Sequence, residues 1–286
     1  MMNNAHTPSR AAGLRSEIPI EFVGARVRGR RSTMYEGDRL AELSRVNTVR
    51  ELGMELYPGR DFRDQFQLER HMTTACAEEL ASFLTYVDGA LGELYLALIR
   101  SFAVEDLKTL LRLVLAGSRQ DAEDLLVELP EEMEIPVEAL ADADDAAEFV
   151  ERLPWPTLKQ CAWDALPLYD ETGNGALIEM ALDQGYWLDV QSALNSLGRQ
   201  REKIALPVRL EFDAVRPLAV LRSARVYEMT WKRTRRLLPE GWGELSMEEL
   251  QNLHEFPTAD NILSHMPWLR PMSPSLRVLG DTGRLE

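Results

Sequence analysis

Apolar residues recur at helical spacing along most of this chain, most regularly over 67–87 and 89–100, where Asp88-Gly89 marks the hinge of a helical hairpin. The same spacing predicts helices over 21–33, near Arg39, over 106–115 with a stop at Gly117, and from 175 to 198 and onward. Leucine and alanine outweigh valine and isoleucine, and no proline falls between Gly59 and Leu129, so long uninterrupted helices are open to the chain. The fold class expected is all-α.

The apolar pattern also repeats at a distance. A shift of 110 residues lays Leu68-Glu69 on Ile178-Glu179 and Leu111-Arg112 on Leu221-Arg222 without a gap. Between those anchors Met72 meets Leu182, Leu80 meets Val190, Ser82 meets Ser192, and Phe102 meets Phe212. A shorter echo occurs three times: Leu43, Leu140 and Leu253 are followed five residues on by Thr48, Asp145 or Thr258, each suited to cap a helix. Leu52, Phe149 and Ile262 come next, then Leu56, Leu153 and Met266, and an aromatic closes each unit at Tyr57, Trp155 and Trp268. The organisation expected is a mobile leader over 1–20, one helical domain over 21–268 made of three units (21–66, 67–166 and 167–268), and a tail over 269–286. Repeated helical units present a shaped surface to partners more readily than a single chemical centre.

Prolines punctuate this scheme. Pro58-Gly59 breaks the chain, Pro154, Pro156 and Pro167 mark the division between copies, Pro207 bends or ends a later helix, and Pro217 suits only a first turn, so the helix holding it is expected to start near Asp213.

Charge changes the picture in one place. The net charge of −15 sits mostly in 121–151, which holds thirteen acidic residues and no lysine or arginine. That block reads as a flexible solvated loop ahead of a docking surface for a basic partner. Basic residues gather at Arg26, Arg28, Arg30 and Arg31, and again at Lys232, Arg233, Arg235 and Arg236. The first cluster is either a partner contact or a solvated helix face. The acidic total argues against general nucleic-acid binding, because attraction to phosphate scales with positive charge.

Candidate chemistry is thin. Cys76 and Cys161 stand alone, so neither a disulfide framework nor a thiolate metal site is expected and a reducing compartment is. The N-terminal stretch lacks the apolar run of a signal peptide, and the most apolar run, 91–99, is too short to span a membrane and holds Glu93. His6, His71, His254 and His265 show no metal-ligand spacing, and Gly241-Trp242-Gly243 reads as a turn. Asp170, Glu171 and Asp183 lie near one another, but carboxylates on a helical surface are common; Cys161 beside Trp163, and Tyr186, Trp187 and Trp231, read as core anchors. No cofactor is expected.

Several stretches together carry a resemblance: ARVRGRRS at 25–32, the hairpin containing Glu69, FAVEDLKTLLR at 102–112, IEMALD at 178–183 followed by Tyr186, and the segment 212–222. Their order and spacing resemble the d subunit of vacuolar-type rotary ATPases, called the C subunit in prokaryotic A/V-type ATP synthases. The resemblance runs from Phe22 to Trp268. It implies a funnel of three pseudo-symmetric helical subdomains that caps the proteolipid ring and grips the central shaft. The implied protein is a monomer when isolated, non-catalytic, and peripheral to the inner, cytoplasmic face of the cell membrane, which it touches only through the ring. It couples ATP turnover to transport of H⁺ or Na⁺. The chain departs from the family where an Asn-Leu pair is usual: Asp106-Leu107 stands there in one copy and Arg216-Pro217 in the other. The alternative is a free-standing helical adaptor.

Arg112 and Arg222 follow leucines at equivalent places, so each is expected to bind a carboxylate within its own subdomain, with Glu69 and Glu179 as the natural partners, ahead of the alternative that they contact a partner protein.

Overall fold

The computed structural model describes residues 20–118, 122–240 and 243–265. The readings for the leader before Ile20, the Gly241-Trp242 part of the turn, Met266, Trp268 and the tail lie outside the described residues. Within them every regular element is helical and no strand occurs. The chain divides into a unit ending at Leu68 and a unit beginning at Glu69.

The first unit contains α1 (Ile20–Arg31), α2 (Asp38–Leu43), α3 (Val49–Leu56) and the start of α4 (Gln65–Ala81). Thr48, in extended conformation, accepts the Glu51 amide on its hydroxyl at 3.2 Å and so starts α3. Gly53 is required inside that helix: a Cβ there would stand 2.4 Å from the Phe62 ring, which meets Tyr57 edge-on at 6.0 Å.

The second unit continues with a 3₁₀ turn (Ser82–Tyr86), α5 (Gly89–Ile99), α6 (Ser101–Ala116), α7 (Ala122–Leu125), α8 (Val137–Ala141) and α9 (Ala146–Glu151). Then come α10 (Pro156–Thr172), α11 (Ala176–Ser196), α12 (Arg201–Arg225), α13 (Trp231–Arg236), α14 (Met247–Glu255) and α15 (Ala259–His265). Leu107, Leu110 and Leu111 of α6, Phe149 of α9, Ile178 and Leu182 of α11 and Phe212 of α12 are fully buried in one cluster. Burying each contributes about 1.5–3 kcal/mol. A smaller cluster joins Val220 and Leu221 of α12 to Leu250 and Leu253 of α14 and Ile262 of α15.

The long repeat is visible in the helices. Leu68 and Ile178 lie at matching places in α4 and α11, and Leu111 and Leu221 in α6 and α12. A short 3₁₀ turn follows the first helix in both copies, Ser82–Tyr86 and Gly198–Gln200. The copies also differ: the counterparts of Ser82–Tyr86 lie inside α11, and the join between the later helices is not the same. Arg100 ends α5 and begins α6, whereas its counterpart Leu210 lies inside the unbroken α12. The triple echo is equally plain. Thr48, Asp145 and Thr258 each accept the amide three residues on with the side chain, at 3.2, 2.9 and 3.3 Å. Each then accepts the amide four residues on with its carbonyl.

Three expectations need correction. The division expected at Pro154, Pro156 and Pro167 holds the 17-residue helix α10, which starts at Pro156 and runs through Pro167, with Pro154 in the bend before it. Pro156 is its first residue, where no amide bond is lost; Pro167 frees the carbonyl of Trp163, and both residues are exposed. Likewise Pro207 and Pro217 lie inside α12, which starts at Arg201 and not near Asp213. Packing of Phe212, Arg216, Pro217, Val220 and Leu221 on one buried face keeps the helix continuous despite the missing bonds.

The third correction concerns 121–151, expected as a flexible loop. From Ala122 onward it folds into α7, a 3₁₀ turn (Glu131–Met133), α8 and α9. The physical reason is apolar content hidden among the charges: Met133, Ile135, Leu140, Ala143, Phe149 and Val150 are 0–5% exposed and belong to the main core. Arg152 ties the segment together by donating to the Ala139 carbonyl and to Glu148.

Candidate functional site: a charged ladder between the copies

Helix α6 carries Glu105, Lys108 and Arg112 on adjacent turns, and α11 carries Glu179 and Asp183 at the same one-turn spacing. The two helices meet so that Arg112 reaches Glu179 and Lys108 reaches Asp183. Arg112 donates through Nε to Glu179 Oε1 at 2.8 Å and through Nη2 to Oε2 at 2.5 Å, a two-pronged contact that a lysine has no geometry to make. One turn away Lys108 Nζ donates to Asp183 at 3.1 Å and to Glu105 at 2.5 Å. Next on α11, Tyr186 donates its hydroxyl to the Leu98 carbonyl at 3.1 Å, and Trp187 stands edge-on to Tyr186 and Phe212 at 5.0 and 5.1 Å.

The electrostatics follow from burial. Burial works against the Lys108 ammonium, yet Asp183 and Glu105 outweigh it and hold the lysine pKa above its ordinary value. Burial also raises the Asp183 carboxyl, and Lys108 offsets only part of that. The bonds to Glu179 push the Arg112 guanidinium up.

This ladder corrects the expected pairing within each copy. Arg112 belongs to the first long copy and Glu179 to the second, so the contact joins copies. The reason is the antiparallel approach of α6 and α11, which a comparison of equivalent positions does not reveal. Glu69 lies exposed on α4, and Arg222 lies exposed in the last turn of α12. Sequence reasoning passes over Lys108, although it lies one turn before Arg112 in the same motif.

A second polar cluster holds the end of the second copy. Asp213 and Arg216, 3% and 5% exposed, lie one turn apart on α12. Asp213 accepts the Glu244 amide on both oxygens at 3.0 and 2.9 Å, and Arg216 donates to the Leu245 carbonyl while lying 5.0 Å over the Phe212 ring. Burial lowers the Arg216 pKa, with Asp213 opposing. Gly243, at φ 132°, completes the seat, since a Cβ would stand 2.5 Å from Asp213 Oδ1. In the first copy Asp106, 4% exposed, accepts the Val127 amide at 3.2 Å; burial pushes its carboxyl up to about 7.

The remaining candidates disperse. Arg28, Arg30 and Arg31 are exposed on α1 and Arg26 is partly buried; Arg31 pairs with Glu36 at 3.0 Å. In the second basic cluster Arg233 pairs with Glu171 at 3.0 Å and Arg235 with Glu240 at 3.7 Å. Glu171 and Asp183 therefore serve different cations. Burial pushes the Cys161 thiol up to about 11, far from a reactive thiolate, and the neighbouring Trp163 is exposed. Trp231 packs beside His254 at 5.6 Å, whose ring also meets Thr234. Among the described residues no group of His, Cys, Asp and Glu is arranged to hold a metal, and no helix is long and apolar enough to cross a membrane.

Comparison with known proteins adds identity to this geometry. Over 173 residues the chain is 28% identical to the C subunit of the A-type ATP synthase of Methanothermobacter thermautotrophicus, covering 59% of this chain and 45% of that protein. Over 254 residues it is 22% identical to the A-type ATP synthase C subunit of Methanobrevibacter smithii, covering 86% and 65%. The relative of that name in Haloferax volcanii is 26% identical over 215 residues, covering 72% and 62%. The chain thus spans between about half and two-thirds of the length of these relatives. A profile of the family described as ATP synthase (C/AC39) subunit matches residues 23–275, so the chain belongs to that family.

Proposed function

We propose that this protein is a non-catalytic central-stalk subunit of an A/V-type rotary ATP synthase, capping the proteolipid ring and joining it to the central shaft. The observation that carries the reading is the family match across 23–275. The helical repeats support it, because α6 and α11 spend these charged groups on one another across the copy boundary. In this reading the three units 21–66, 67–166 and 167–268 form a funnel. Arg26, Arg28, Arg30 and Arg31 face a neighbouring subunit, and the protein lies at the inner face of the membrane, bound through the ring. It is a monomer when isolated and needs no cofactor of its own. The ion moved, H⁺ or Na⁺, is chosen in the ring.

The test is to tag the protein, extract host membranes in mild detergent and identify what co-purifies. Recovery of nucleotide-binding subunits, a shaft and a proteolipid is the expected result. A preparation lacking all of them overturns the reading in favour of a free-standing helical adaptor.

A further inference from the structure

The two long copies align without a gap, but a face largely covered in the first is open in the second. Across α5 and α6 the positions Leu96, Arg100, Val104, Lys108 and Arg112 recur with a spacing of four, and Lys108 and Arg112 meet α11. The counterparts on α12 are Leu206, Leu210, Ala214, Leu218 and Arg222. Leu206, Leu210 and Leu218 are 63%, 59% and 48% exposed, whereas Lys108 is 8% exposed. Among the described residues no carboxylate pairs with Arg222. Three exposed leucines on one ridge of a 25-residue helix, with Ala214 between the second and third, are an unusual surface for a protein in water.

We propose that this ridge of α12 docks an amphipathic helix of another protein, laid across it as α11 lies across α6, with a carboxylate facing Arg222. The inference rests on the rotary-complex reading for where such a protein is found, and on the repeat for its chemistry. Arg222 is the counterpart of Arg112, which takes Glu179 with two bonds, so the visiting helix brings Asp or Glu to that place. Leu218 replaces Lys108, so one turn on the visitor carries an apolar residue where α11 has Asp183. A second copy of this chain has no spare α11 to lend: Ile178, Ala181, Leu182 and Val190 are fully buried in its own core.

The test places a photo-reactive amino acid at Leu210 of the tagged full-length chain in its host, with one at exposed Glu138 as background, and maps adducts by mass spectrometry. The expected adduct joins Leu210 to a helical segment of a different protein that carries an acidic residue beside apolar ones. Leu210→Asp with Leu218→Asp is expected to lower recovery of that protein about tenfold, since burying the new charges opposes docking. Arg222→Glu is expected to lower it likewise, with recovery restored by reversing the partner carboxylate to arginine. All three positions are exposed, so helical content and melting temperature stay unchanged. Adducts only to lipid, to a second copy, or at the Glu138 background overturn the proposal. If synthase subunits co-purify but the adduct is absent, the docking face fails and the rotor reading stands. If none co-purify and the adduct still forms with an acidic amphipathic helix, the rotor reading fails and the docking face stands.

Discussion

Asp106 and Arg216 occupy the same place in the two long copies and do opposite jobs. Each is a buried polar residue that ties a following loop to its helix, but Asp106 accepts a backbone amide from Val127 and Arg216 donates to the backbone carbonyl of Leu245. The departure from the family's Asn-Leu pair is therefore an exchange of hydrogen-bond polarity at a shared geometric station of the repeat.

Asp106 makes stability depend on pH. Burial raises its carboxyl from the ordinary 3.8 to about 7, the Val127 amide and Arg70 offsetting part of this. The folded state therefore binds a proton that the unfolded state has already released, so this contribution is complete below pH 4 and is lost as pH rises to 7. Asp106→Asn is expected to remove the loss and to be about 2–4 kcal/mol more stable than wild type at pH 8. Urea unfolding at pH 4 and pH 8 checks this; equal shifts at both values would refute it.

The ladder is expected to show coupling. A double-mutant cycle of Arg112→Gln and Glu179→Gln should give about 0.5–1.5 kcal/mol, the low end reflecting the exposure of Arg112. Asp183→Leu should cost about 1–3 kcal/mol by leaving Lys108 with Glu105 alone, and adding Lys108→Met should recover most of it. Strict additivity in urea midpoints would argue against the ladder.

Gly185 is needed for the close approach of α10 and α11. A Cβ there would stand 2.7 Å from the Cα of Leu158, backbone that has nowhere to retreat. Gly185→Ala is expected to destabilise by about 1–3 kcal/mol although alanine favours helix in isolation. A thermal melt at or above the wild-type midpoint would contradict this.

The two cysteines should differ in reactivity. Cys76 is exposed, while Cys161 is buried with its thiol pushed up to about 11. At pH 8 a thiol reagent should modify Cys76 and reach Cys161 only on unfolding. Fast labelling of both thiols in the native protein would overturn the assignment.

What the sequence revealed was what is local. Thr48, Asp145 and Thr258 were legible as caps because the capping bond closes within three residues. Gly117, at φ 68°, was legible as a helix end for the same reason. Helix α10 was not, because Pro167 reads as a breaker until its exposed side is known. Nor was the order in the acidic segment, where the charges mask Met133, Leu140 and Phe149. The partner of Arg112 was hidden because repeats align equivalent residues, whereas folded copies touch at inequivalent ones. The open ridge of α12 was hidden as well, because exposure at Leu206, Leu210 and Leu218 depends on what packs against the helix.

Folding that acidic segment has an effect that a loop would not have. With its apolar residues turned inward, Glu131, Glu132, Glu134, Glu138, Asp142, Asp144 and Asp145 are left exposed on one short stretch, while Glu128 and Glu151 pair with Arg70 and Lys159. A mobile loop would spread that charge through many positions; here it is a fixed anionic shield. Its repulsion reaches about 8 Å at physiological salt, so an acidic lipid surface or nucleic acid is turned away from this side before contact.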